Sequence, residues 1–66
     1  MTWEVFESRQ SMTYYTIRVC GKINLYDLDL IINCAFTPDL TQTIRDVREL
    51  RRMGYVKKVN YQFIAL

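Results

Sequence analysis

The chain has 66 residues, 50% of them hydrophobic and 24% charged, with nine basic residues against seven acidic ones for a net charge of +2. That length holds one compact domain over residues 1–66 and excludes a cofactor-binding domain joined to a substrate domain. The apolar content excludes a disordered tail, and two glycines with one proline exclude collagen-like and proline-rich linker classes.

A domain this small buries only about 60% of its unfolded surface. Disulfides, metals or oligomerisation often supply the missing stability. Cys20 and Cys34 lie inside apolar segments and read as two free, buried thiols, since small secreted domains carry more cysteines. With no histidine and no C-x-x-C spacing, the chain cannot close a tetrahedral zinc site. The segment Met1-Thr2-Trp3-Glu4-Val5-Phe6-Glu7 lacks the basic and apolar regions of a signal peptide. No apolar run exceeds four residues, far short of the about 20 that a membrane span needs. A soluble, cytoplasmic protein without membrane association is expected.

In chain order, residues 3–7 alternate weakly and read as an edge strand, and residues 8–11 form a polar break. Residues 12–20 are rich in β-branched and aromatic side chains and read as a strand. Gly21-Lys22 fits a two-residue hairpin turn, with glycine where a type II′ turn requires it. Leu28, Leu30, Ile32, Cys34 and Phe36 recur with period two, so 23–36 reads as one bent strand or two strands kinked at Tyr26-Asp27. A helix is expected over 38–53. Thr37 suits its N-cap, Pro38 its first position, Leu40, Ile44, Val47 and Leu50 its apolar stripe, and Gly54 its left-handed C-terminal cap. Tyr55 to Leu66 alternates again as a closing strand, with Tyr55, Val59, Tyr61, Phe63 and Ala65 on one face and Tyr61 and Phe63 read as core. The expected fold is a small two-layer α+β domain: an antiparallel sheet of three to five strands with one helix on one face, in the order β-β-β-(β)-α-β.

Charge is unevenly spread. Residues 1–36 carry a net −1 and residues 37–66 a net +3, and Arg51-Arg52-Met53-Gly54-Tyr55-Val56-Lys57-Lys58 holds four cations and no anion. On the expected helix, Arg45, Arg48 and Arg52 form a basic flank, Gln42, Asp46 and Glu49 a polar, acidic one, and Arg51 falls in the apolar stripe, snorkelling to water. Glu49 lies one turn from Arg45 and Arg52, so part of the flank is open to internal pairing. A solvated structural face, a protein partner and a nucleic acid all fit this pattern.

Nothing in the chain favours catalysis. Histidine is absent, and neither cysteine has an imidazole base in prospect. Asp27 and Asp29 would share one side of an extended strand and so a magnesium ion, but Asp-x-Asp at a bend is also ordinary turn chemistry. No enzyme, cofactor or metal is expected. The aromatic content points to binding instead: Tyr14, with Arg18, and Tyr26 are candidates for an open sheet face, because tyrosine is enriched at interface hot spots. The expected molecule is a small binding protein, a regulator or inhibitor whose partner is a host or cellular protein. It would use Arg45, Arg48, Arg52, Lys57 and Lys58, or the face around Tyr14, Arg18 and Tyr26. A homodimer through a free edge strand is a further possibility. In size and absence of motifs it resembles phage-encoded host-takeover and anti-defence proteins, including anti-CRISPRs.

The run Thr41 to Val56, TQTIRDVRELRRMGYV, also resembles the recognition helix and first wing strand of winged-helix DNA-binding domains, which often read as an arginine-rich helix closing in L-x-x-x-G-Y-V, here Leu50 to Val56. The resemblance implies a nucleic-acid-binding regulator that uses the Arg45/Arg48/Arg52 helix. It covers about a quarter of the chain, and it requires two earlier helices where 12–25 reads as a hairpin.

Overall fold

The computed structural model describes residues 8–66. Its elements are α1 (Ser8–Cys20), β1 (Lys22–Asn24), α2 (Leu25–Ile32), α3 (Leu40–Arg52), β2 (Val56–Val59) and β3 (Gln62–Ala65). The strands form one antiparallel sheet in the order β1-β3-β2. This corrects the expected order and the count of one helix: the described residues form three helices, and most of 12–36 is helical rather than extended. The strand expected over 3–7 lies outside the described residues.

Helix α1 forms from a segment whose composition favours strands. Thr13 and Thr16 donate their hydroxyls to the carbonyls of Arg9 and Met12, four residues back, at 2.8 Å each, which satisfies both groups inside the helix. Thr13 and Ile17 are fully buried. Helix and strand propensities differ by less than about 1 kcal/mol per residue, so burial of this face decides the outcome. Gly21 then terminates α1 instead of opening a hairpin. Its φ is 80° and its amide donates to the Ile17 carbonyl at 3.0 Å, a left-handed helix end.

Helix α2 explains the false period of two. Leu28 and Ile32, four residues apart, are buried, while Leu30 between them points to solvent. The start is fixed by Asn24, whose side-chain oxygen accepts from the Asp27 amide at 2.8 Å while its amide nitrogen donates to the Asp27 carboxylate at 3.0 Å. This two-way contact resembles a capping box.

Helix α3 lies within the expected range, two residues late and one residue short. Asp39, not Thr37, is its N-cap and accepts from the Gln42 amide at 3.0 Å. Gly54, at φ 87°, closes it: the Tyr55 amide donates to Leu50 and the Gly54 amide to Arg51, at 3.0 and 3.1 Å. That pair of bonds is the Schellman arrangement.

The closing segment is a hairpin, not one strand. Val56 pairs with Ala65, Lys58 with Phe63 and Val59 with Gln62, around a turn at Asn60-Tyr61. Phe63, Val56 and Ile23 from the three strands join Ile17, Leu28, Ile32, Val47 and Leu50 in one core. Cys20 and Cys34 are unpaired, and both are exposed rather than buried. Among the described residues no helix is long and apolar enough to cross a membrane.

Candidate nucleic-acid interface

The orientation of α3 is set from its inner side. Arg9, at the start of α1, donates to the backbone carbonyls of Thr37 and Asp39 and to the Thr43 hydroxyl, all at 3.0 Å. Its Nε lies 3.7 Å from the Asp46 carboxylate, and the guanidinium stands 5.8 Å from the Phe36 ring centre. Thr43 donates its hydroxyl to Asp29 of α2 at 2.9 Å, and Gln42 donates to Asp46 at 3.0 Å. Both side chains of the ion pair are nearly enclosed. The cluster joins α1, α2, the loop before α3 and the first half of α3. Charged hydrogen bonds of this kind are the stronger ones, and in a low-dielectric site they fix geometry.

This network decides what α3 shows to solvent. Thr43, Asp46, Val47 and Leu50 face inward. Asp46, expected on an acidic outer flank, is therefore removed from the surface. Ile44, expected in the core, is only half-buried. Rotating the stripe this way places Thr41, Arg45, Arg48 and Arg52 at the middle of the outer face, and all four are exposed. Glu49 is the remaining acid of the helix, and Arg52 donates to both of its carboxylate oxygens. That hydrogen bond, with the attraction of the guanidinium, holds the Glu49 carboxyl below its usual range and raises Arg52.

Past the end of α3, Arg48, Arg51, Arg52, Lys57 and Lys58 surround a shallow open cleft floored by Val56. Arg51 is exposed and joins this cleft. Among the described residues, Arg45, Arg48, Arg51 and Lys57 make no ion pair. Lys58 lies on the core side of the hairpin but beyond the core, its ammonium 5.6 Å from the Tyr61 ring centre and 6.0 Å from that of Phe63.

The sequence candidates thus separate. Arg45, Arg48, Arg52, Lys57 and Lys58 are brought together. Tyr14 and Arg18 are on α1, so the open sheet face expected around them does not exist. Tyr14 is half-buried, edge-on to Tyr55 at 5.6 Å between ring centres. Arg18 is exposed on α1, and Tyr26 is 77% exposed on α2. Asp27 and Asp29, two residues apart on a helix, diverge: one caps α2 and the other receives Thr43. Tyr61, read as core, is 82% exposed. Arg51 was read as part of the basic run 51–58, and two contributors escaped sequence reading: Arg9 and Tyr61. The spacing Asn60-Tyr61 between two short β-prone runs was the available signal for the last of them.

No protein-family model, curated protein or solved structure matches the chain significantly. The arrangement therefore stands on its own geometry. The two helices that the winged-helix resemblance requires ahead of residues 41–56 are present, and β2 and β3 form a hairpin directly after the arginine-rich helix.

Proposed function

We propose that this protein is a non-enzymatic regulator that binds duplex DNA, with α3 in the major groove and the β2–β3 hairpin against the adjoining backbone. The observation that carries this reading is the sorting of charge on α3. Its acids are turned inward or occupied by Arg52, while Arg45 and Arg48 stand on the outer face and Arg51, Lys57 and Lys58 line the cleft beside it. A helix with its side chains is about 10–12 Å across, close to the roughly 12 Å width of the major groove. Arginine on such a helix can hold a guanine edge through two hydrogen bonds, and the flanking cations can hold phosphates.

The test is fluorescence anisotropy with a labelled 20-base-pair duplex at low salt, comparing the protein with its Arg45→Ala/Arg48→Ala variant. Binding that the double substitution weakens at least tenfold supports the reading. Failure of the unaltered protein to bind any duplex contradicts it.

A second reading, a regulator that docks on another protein, has a different surface behind it. Met12, Tyr15, Thr16 and Val19 recur at helical spacing on the outer side of α1, beside Ile31 of α2, and form a shallow apolar surface. Val19 is 76% exposed. Substitution of Val19 by a charged residue separates the two, because it spares duplex binding and abolishes an apolar protein contact.

A further inference from the structure

The turn joining β2 to β3 contains only Asn60 and Tyr61, because Val59 and Gln62 face one another across the ladder. Both residues have positive φ, 51° and 65°. This is the combination of a type I′ turn, whose twist suits a two-residue hairpin. Asparagine is a usual occupant of the first position. The second is ordinarily glycine, because a side chain in left-handed conformation brings its Cβ against the backbone. A bulky residue there is an outlier that must be compensated elsewhere.

Among the described residues, none supplies that compensation through burial. The Tyr61 ring is 82% exposed. Its recorded contact is the Lys58 ammonium, 5.6 Å from the ring centre. Lys58 also lines the cleft that runs back to Arg48 and Arg51. The hairpin tip therefore presents an aromatic face next to a cation, at the end of a continuous basic surface. An ammonium beside an exposed ring matches a nucleotide, whose phosphate pairs with the cation and whose sugar and base edge pack on the ring. A two-residue turn is also slim, as entry into a groove about 6 Å wide requires.

We propose that Tyr61 is a DNA contact, its ring packed on the sugar and base edge of a nucleotide whose phosphate Lys58 holds. This rests on the duplex-binding reading above. Strain at the turn and exposure of the ring then have one explanation: the residue serves a partner and not the fold.

Tyr61→Gly and Tyr61→Phe test this, read by urea unfolding and by anisotropy with the same labelled 20-base-pair duplex. Relief of the left-handed strain in Tyr61→Gly lowers the unfolding equilibrium constant about fivefold. Loss of the ring lowers duplex affinity roughly tenfold, with the salt dependence unchanged. Tyr61→Phe keeps the affinity within about twofold, because the ring and not the hydroxyl makes the contact. If Tyr61→Gly binds as tightly as the unaltered protein, the proposal is overturned while the duplex-binding reading stands. If Tyr61→Gly is both less stable and weaker in binding, Tyr61 is a structural residue and the proposal is again overturned. If the unaltered protein binds no duplex, both readings fall together.

Discussion

Arg9 and the pair Arg45/Arg48 are the same residue type used in opposite ways. Arg9 is enclosed, with two carbonyls, a hydroxyl and a carboxylate around one guanidinium. Arg45 and Arg48 are exposed on the far side of the helix that Arg9 holds. A buried cation must be paired to be tolerated, and once paired it fixes the position of its partners. An exposed cation contributes little to folding, so its value lies in what it meets from outside. The contrast divides the charge of this small domain into a part that aims α3 and a part that α3 displays.

Substitutions on the two sides should behave differently. The largest effect on stability is expected from Arg9→Met, which leaves the nearly enclosed Asp46 carboxylate without its cation and the Thr37 carbonyl without its donor. A loss of about 3 kcal/mol should appear in urea unfolding. Arg45→Ala/Arg48→Ala should leave the urea midpoint nearly unchanged and weaken duplex binding by about 2 kcal/mol or more. If it unfolds the domain instead, the division between the two groups is wrong. Gly54→Ala, which forces a side chain into φ 87°, should cost about 1 kcal/mol and fray the end of α3. Glu49→Gln tests the boundary between the two groups. It should scarcely move stability, because the pair is exposed, yet it should tighten duplex binding by removing an anion and releasing Arg52. The pH dependence follows with its sign. The folded Glu49 carboxyl is held low by Arg52, so its small stabilisation is present above the ordinary carboxylate range and fades as pH falls through the lowered value. Thermal melts between neutral and acid pH should show that component vanish in Glu49→Gln.

How much of this was legible in the sequence follows from the range of each interaction. The cap at Gly54 and the arginines of α3 are local features, so the helix and most of the basic site could be read directly. Helix α1 could not. Its threonines, tyrosines, isoleucine and valine favour strands, and burial of Thr13 and Ile17 reverses the preference, while the hydroxyls of Thr13 and Thr16 are satisfied within the helix. In α2, leucines and isoleucines at nearly every second position satisfied both periods, and the cap at Asn24 was the discriminating signal. The Arg9 network joins residues 28 to 34 positions apart, a separation that no spacing rule reaches. Tyr61 was misplaced because the alternation of 55–66 was carried straight through Asn60, where the chain in fact reverses.

The measurement that bears most directly on the central claim is the salt dependence of duplex affinity, taken as log K against log salt from about 50 to 200 mM. If Arg51, Lys57 and Lys58 each hold a phosphate, the slope is about −2.7, since each contact contributes about 0.9. Lys57→Ala/Lys58→Ala then reduces the steepness by nearly two units. A slope near zero, or one that the double substitution leaves unchanged, would contradict the account.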